Sequence, residues 1–358
     1  MESVMELKGK GYFMWQIPYC DGGDPAAIAK AAREAQLTHV LIKIADGASW
    51  IYNYDYERKI DFIPPVRDAL LAEGIQVWGW QYVRGNDPLG EARMAVQRMN
   101  DLQLDGFIVD AEIEYKDKGK DVAARKYMEA LRAGLGDMPI ALSTFRFPRL
   151  HHEIPFEEFL SYCDFSMPQV YFEKSTKVEE QLEKSVEQYL NLRPARPLVV
   201  TGPSYSYGGW RPTPEEVTRF VTKARDMGIP AVNMWGWDFA RRKGFWELWD
   251  AFAEYDWPAD TFEGDITDHL ALLMNSHDAE AVVKLYRDNA AHVTGARTAV
   301  GHEKLLVWYR NLFQRLLPNA IFTITGMSGS DNTRRFTWTA TSDAGTVLDG
   351  SDTLGLKD

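Results

Sequence analysis

From Tyr12 to about Tyr255, short apolar runs rich in β-branched and aromatic residues alternate with longer stretches whose apolar positions recur at helical spacing. The strand-like runs are YFMWQI (12–17), HVLIKIA (39–45), QVWGWQYV (76–83), GFIVDAEI (106–113), PIALSTF (139–145), DFSMPQVYF (164–172), PLVVTGPSY (197–205) and AVNMWGWDF (231–239). Near-continuous apolar runs of this length mark strands buried on both faces, which is the condition of a parallel sheet covered by helices. Between them lie amphipathic stretches such as PAAIAKAAREAQ, GEARMAVQRMNDL, VAARKYMEALRAGL, VEEQLEKSVEQYL and TPEEVTRFVTKARDMG. Several are opened by Pro, Asp or Thr and closed by Gly, as helix ends require. Eight such repeats over roughly 250 residues predict an α/β fold, a (β/α)8 TIM barrel. An open doubly wound sheet is the rival, but it needs a glycine-rich phosphate turn after the first strand, and IPYCDGGDP is not one.

The rhythm stops in YDWPADTFEGD (255–265), where Pro258 and Gly264 punctuate the chain. Two domains are expected, 1–258 and 259–358. In the second, residues 266–290 and 301–317 read as helices, and three alternating strands follow in AIFTITGMSG, TRRFTWTATS and TVLDGSDTLGL. Helices followed by a meander predict an α+β unit.

Composition narrows the function. The chain has 358 residues, 45% hydrophobic and 26% charged, which is globular and ample for a buried core. Its net charge of -12 repels phosphate backbones and anionic lipid, so nucleic acid and membrane surfaces are not expected partners and a neutral or cationic ligand fits better. Cys20 and Cys163 are too few for a disulfide framework and read as reduced, partly buried thiols. No run has signal-peptide or membrane-span length, which predicts a cytoplasmic protein unless an export signal has been trimmed away. Twelve tryptophans are many, and all but Trp308 and Trp338 lie in the first 257 residues.

In a TIM barrel, chemistry sits at the C-terminal ends of the strands. The fourth strand, DGFIVDAEIEY, carries Asp110, Glu112 and Glu114 at alternate positions, so all three are expected on one face. Asp110 and Glu112 would lie about 6.5 Å apart at Cα by strand rise. Mutual repulsion and desolvation would then hold one of them protonated near neutral pH, and a protonated carboxyl beside an ionised one is what glycosidic cleavage uses. The plainer reading is that the acids pair with Lys or Arg, or sit solvated at the strand end. Lys43, inside an apolar strand, needs a partner, either Asp46 or Asp110. Trp78 and Trp80 share one face of the third strand, as barrel core or as an aromatic wall of a sugar site. His151 and His152 read as a solvated loop rather than as metal ligands, because adjacent residues on an extended chain point apart. Neither a metal nor a cofactor is expected.

The fragment LDGFIVDAE matches the D-G-x-x-x-D-x-E strand of chitinase-type glycoside hydrolases at Asp105, Gly106, Asp110 and Glu112, with Ile108 where that family commonly has a further Asp. D-A-E also resembles the D-x-E strand of lysozyme-type muramidases. HVLIKIADG is similar to their second strand at Val40, Lys43 and Gly47, and IQVWGWQYV to their third, whereas GYFMWQIP lacks their early Asp. MPQVYF and AVNMWGWDF resemble the sixth and the Trp-bearing eighth strands of such barrels. The resemblance, over about 250 residues, implies Glu112 as general acid, Asp110 as the neighbour that tunes it or orients a substrate group, and Tyr171 as a hydrogen-bonding group near the reacting carbon. It implies Trp235 or Trp237 as the floor on which a sugar stacks and Asp238 as an extra carboxylate; Lys43, Trp80 and Gln169 are further candidates for the substrate site. The expected activity is hydrolysis of a glycosidic bond in a polysaccharide or glycoconjugate. The alternative is a non-catalytic carbohydrate-binding or scaffold barrel, favoured by the two missing acids.

The last 90 or so residues, through LYRDNAAHVTG, GHEKLLVWYR and DGSDTLGLKD, resemble the SnoaL-like branch of nuclear-transport-factor-2-like domains. That resemblance implies a cone-shaped α+β fold that binds a ligand or forms a homodimer. Tyr286, His292, Trp308 and Trp338 read as pocket lining or as the core of a small domain. Such domains usually continue into a last strand after a K-D-G-like turn, so a chain that stops at Asp358 is expected either to complete its sheet otherwise or to be cut short.

Overall fold

The computed structural model describes residues 7–241, 244–257, 266–294, 297–330 and 333–355. Most of the expected seam, including Pro258 and Gly264, lies outside the described residues, as does Asp358. The chain divides into two compact units: Met1–Tyr189, Leu198–Arg225 and Ile229–Thr261 in the first, and Leu190–Pro197, Asp226–Gly228 and Phe262–Asp358 in the second.

The first unit is a closed barrel of eight parallel strands: β1 (Gly9–Met14), β2 (Leu37–Asp46), β3 (Gln76–Val83), β4 (Gly106–Ala111), β5 (Ile140–Phe145), β6 (Phe165–Gln169), β7 (Val199–Pro203) and β8 (Ala231–Trp235). Each pairs with its neighbours in sequence, and β1 closes the ring by pairing with both β2 and β8. Helices α1 (Pro25–Glu34), α2 (Ile63–Ala72), α3 (Pro88–Leu102), α4 (Lys120–Leu135), α5 (Phe156–Leu160), α6 (Val178–Leu190), α7 (Pro214–Asp226) and α8 (Trp246–Ala253) connect or follow the strands. Two begin at Asp-Pro. Asp24 accepts from the Ala26 N–H and Asp87 from the Gly90 N–H, with Pro25 and Pro88 at the first helical position, where a missing N–H costs nothing.

The barrel interior is filled by side chains at alternate strand positions. Leu41, Trp78, Ile108, Ala141, Phe165, Val199 and Ala231 pack with Phe13, Trp80 and Met167. Trp78 needs room. Gly106 faces it across the β3–β4 register, and a Cβ there would lie 2.6 Å from the indole. Deeper in, the fully buried His39 ring is bonded on both nitrogens, Nε2 to Asn233 Oδ1 at 2.6 Å and Nδ1 to Thr38 Oγ1 at 2.9 Å, over the bare face of Gly11. Ile108, where the chitinase pattern has an acid, belongs to this apolar interior.

In the second unit the meander is as expected: β11 (Ile321–Ser330), β12 (Thr333–Ser342) and β13 (Gly345–Gly355) form an antiparallel sheet, preceded by a hairpin of β9 (Ala291–Val293) and β10 (Thr298–Val300) that the pattern did not announce. The expected long helix over 266–290 is two, α9 (Ile266–Ser276) and α10 (Ala279–Lys284). His277 takes a left-handed φ of 56° between them and Asp278 caps the second. Helix α11 (His302–Asn311) ends in a wider turn at Leu312–Leu316. Tyr286, Trp308 and Trp338 pack against the apolar core of this unit, and His292 stacks on Trp308 at 5.5 Å. Among the described residues no helix is long and apolar enough to cross a membrane.

Candidate active site

At the C-terminal mouth of the barrel a cavity of about 240 Å³ is lined by Phe13, Trp15, Lys43, Trp80, Tyr82, Asp110, Glu112, Ser143, Gln169, Tyr171 and Trp235. Seven of the nine residues singled out from sequence lie in it. Asp110 is the last inward residue of β4, beside Tyr82 on β3 and Ser143 on β5. Glu112 follows at the strand end, partly exposed.

The two carboxylates meet through Gln169. Its Nε2 lies 3.0 Å from Asp110 Oδ1, 3.0 Å from Glu112 Oε1 and 3.3 Å from Ser143 Oγ. Two acid oxygens bonded to one nitrogen lie no more than 6.0 Å apart. Burial raises the Asp110 pKa well above the usual carboxylate range, and repulsion from Glu112 adds to it, while Lys43 and the Gln169 bond pull the other way. Burial likewise raises Glu112, against the Gln169 bond and Lys43. Such a pair holds on to a proton that an isolated carboxyl would lose.

The expected row of three acids is corrected to two. Strand β4 ends at Ala111 and the chain enters a tight turn at Ile113–Lys116, so the alternation that would have brought Glu114 inward is lost. Glu114 instead accepts from Tyr82 Oη at 2.5 Å and faces Arg84 Nη1 at 3.4 Å. Lys43 pairs with Asp46 at 2.9 Å, not with Asp110, and its ammonium lies 4.2 Å from the Tyr52 ring centroid and 4.8 Å from that of Trp80.

Aromatic rings make the rest of the wall. Trp80 and Trp235 meet edge to face at 5.4 Å, with Phe13 within 6.1 Å of both. Trp78, one layer down, is fully buried core. Tyr171 is held by its backbone carbonyl, which accepts from Arg146 Nη1, and by its ring edge on Tyr205 at 5.4 Å. Burial pushes its pKa well up, so the phenol stays protonated and able to donate.

Trp237 and Asp238 are not on the cavity. Strand β8 ends at Trp235 and the chain turns into the short helix Trp237–Ala240. Trp237 is fully buried, donating from Nε1 to Asp21 Oδ2 at 2.8 Å and packing on Tyr12 and Trp249, and Asp238 is fully buried too. Of the histidine pair, His152 is exposed, whereas His151 stacks on Phe145 at 4.0 Å and sits 2.6 Å from Lys116 Nζ. Both cysteines are buried and unbridged. Among the described residues no three His, Cys, Asp or Glu side chains are grouped to hold a metal. Sequence reasoning passed over Phe13, Trp15, Tyr82 and Ser143. Tyr82 carried a signal, because it shares the inward face of β3 with Trp78 and Trp80.

No family model and no curated protein matches the sequence. Solved structures do match. A chitinase from Bacteroides thetaiotaomicron aligns with a TM-score of 0.53 at 12% identity, covering 70% of this chain and 96% of its own. The GH18 chitinase ChiB from the chitin utilization locus of Flavobacterium johnsoniae aligns at 0.51 and 13%, covering 70% and 94%. A GH2 beta-galacturonidase from Eisenbergiella tayi aligns at 0.50 and 12%, covering 70% of this chain and 52% of that one. The fold is glycosidase-like. At these identities the likeness is one of architecture, and the chemistry rests on the residues in the cavity.

Proposed function

We propose that this protein hydrolyses a glycosidic bond in a polysaccharide or glycoconjugate, with Glu112 as general acid. The observation that carries the reading is the Asp110–Glu112 pair, both with raised proton affinity, tied by one amide and faced by Trp80 and Trp235. Glu112, at the strand end and less buried, delivers its proton to the leaving oxygen. Asp110, deeper and beside it, stays within the hydrogen-bond network of Gln169 and Ser143 and orients the sugar next to the bond that breaks. The pyranose C–H face packs on Trp235 with Trp80 at its side, and the Tyr171 hydroxyl donates near the anomeric carbon. Lys43, neutralised by Asp46, stabilises whichever carboxylate is ionised.

Among the described residues, the carboxylates lining the cavity are these two, Asp110 near the end of β4 and Glu112 just beyond it. A separate water-activating carboxylate across the sugar, about 6.5–9.5 Å away as in inverting enzymes, is not among the lining residues. The attack at carbon then falls to a group on the substrate itself, which Asp110 orients, and this favours a retaining outcome. The test is Glu112→Gln. Turnover of chitin-derived oligosaccharides is expected to fall at least about a hundredfold with the fold intact, which is the scale of a lost general acid; full activity in this variant would sink the assignment.

The second reading, a barrel that binds sugar without turning it over, draws support from Ile108, which leaves Asp110 without an acid beneath it. Oligosaccharide that quenches tryptophan fluorescence and is recovered uncleaved would favour it. For the second unit we propose a SnoaL-like domain that pairs two chains. The exposed Leu348 on β13 is the probe, and Leu348→Glu is expected to shift sedimentation toward monomer.

A further inference from the structure

Beside the cavity, between the loops that follow β2 and β3, lies a second hollow of about 440 Å³ that the proposed chemistry does not use. Asp46, Trp50, Tyr52, Arg84, Asn86 and Asp87 are among its walls. The two spaces share a partition. Lys43 faces the first and Asp46 the second, and they are joined at 2.9 Å. A glycan in the first cavity that extends over the Lys43–Asp46 partition would enter this hollow.

Its apolar element is an exposed tryptophan held in place. Trp50 is 54% exposed, yet its ring lies 5.0 Å from that of Tyr56, which in turn meets Tyr54 edge-on at 5.1 Å. The Tyr56 hydroxyl bonds both the N–H and the carbonyl of Ile51, at 2.8 and 3.1 Å. The hairpin carrying Trp50 is thereby fixed before any ligand arrives, and the indole serves no core. Preorganised aromatic surface at the rim of a polar hollow suits a pyranose, whose C–H face stacks while its hydroxyls reach Ser49, Asn86 and Asp87.

The charges say which pyranose. Among the described residues that line the hollow, Asp46, Asp87 and Glu91 are acids and Arg84 is the cation, and Arg84 is committed to Asp46 and Glu114; Lys43 and Lys120 nearby are likewise committed, to Asp46 and to the Arg84 carbonyl and Asn86 Oδ1. An anionic sugar entering here would meet an excess of carboxylate and no cation without a protein partner, in a chain whose net charge is already -12. We propose that the hollow is a second saccharide subsite, occupied by the next uncharged unit of the same glycan, and that it selects neutral glycans over uronic and other acidic sugars. The proposal rests on the glycosidase reading of the first cavity and adds to it a minimum length and a charge class.

The test measures binding to the whole chain carrying Glu112→Gln, so that nothing is consumed, with and without Trp50→Ala or Tyr56→Ala. The probes are tetramers of N-acetylglucosamine and of glucose, tetragalacturonate, and methyl N-acetylglucosaminide, which fills a single subsite. A neutral tetramer is expected to bind roughly tenfold more weakly once Trp50 or its support is removed, the scale of one lost stacking contact. The monosaccharide is expected to bind all variants alike, and tetragalacturonate none. Equal tetramer affinity in all variants, with the monosaccharide still bound, overturns the subsite and leaves the glycosidase reading standing. Tetragalacturonate binding as tightly as the neutral tetramers overturns the charge selection. Failure of every sugar, monosaccharide included, overturns both readings together.

Discussion

The barrel buries ionisable groups at two depths, and it treats them differently. Near its base, His39 has both ring nitrogens bonded and a pKa lowered to about 4 by burial, so it is a neutral polar group with its bonding capacity filled. At the mouth, Asp110 and Glu112 share a single amide nitrogen that has only two hydrogens to give, and burial raises both. Buried groups that are fully paired hold structure. Those that are buried and under-supplied keep bonding capacity and a proton for something else, and here they open on a cavity walled by tryptophan.

The largest effect separates two carboxylates two residues apart. Glu112→Gln is expected to cost at least about a hundredfold in turnover, whereas Glu114→Gln, outside the cavity and bonded to Tyr82, is expected to change it only several-fold. Comparable losses in both would erase the distinction between a placed acid and a neighbouring charge.

At the base the corresponding effect is on stability. The folded His39 pKa of about 4 lies below its ordinary 6.5, so between those values the unfolded chain carries a proton that the folded chain does not. Stability is expected to fall as pH drops through that window, with about 3 kcal/mol at stake at its lower end. His39→Gln has no charge to gain, so denaturant titrations at pH 7 and pH 4.5 should show a shallower loss than in the parent. An unchanged pH slope would refute the buried neutral histidine.

Much of this was legible in sequence, for reasons that differ by residue. The eight strands showed because a parallel barrel buries both faces and leaves uninterrupted apolar runs, and D-A-E stood out because acids at the end of such a run need an explanation. Glu114 misled because alternation holds only while the strand lasts, and nothing in EIEYKDK marks the turn at Ile113. Trp237 and Asp238 misled for the same reason at the end of β8. The helix over 266–290 broke where His277 adopts a left-handed backbone, which composition does not advertise. The Trp50 hollow was invisible, since it is made by two loops that only the closed ring brings together.

Packing at the base offers a sharper contrast that is free of charge. Gly106→Ala would place a methyl 2.6 Å from the Trp78 indole, in an interior with no flexible end to move aside. Overpacking of this kind costs about 1–3 kcal/mol and is expected to appear as a lower melting temperature with sugar binding retained. A variant as stable as the parent would mean that the interior is looser than its contacts imply.

The smallest effect tests how the mouth is tuned. Lys43 lowers the proton affinity of both Asp110 and Glu112, and its removal by Lys43→Met leaves Asp46 still paired with Arg84. An acid catalyst must be protonated, so activity falls on the alkaline side as Glu112 loses its proton. Without the ammonium that loss moves to higher pH, and the alkaline limb of the turnover profile is expected to shift upward by something under about one unit, equivalent to about 1 kcal/mol. A limb that moves down, or stays fixed while the acid limb moves, would assign the titrating group to a residue other than Glu112 and return the mouth to the same structural standing as the base.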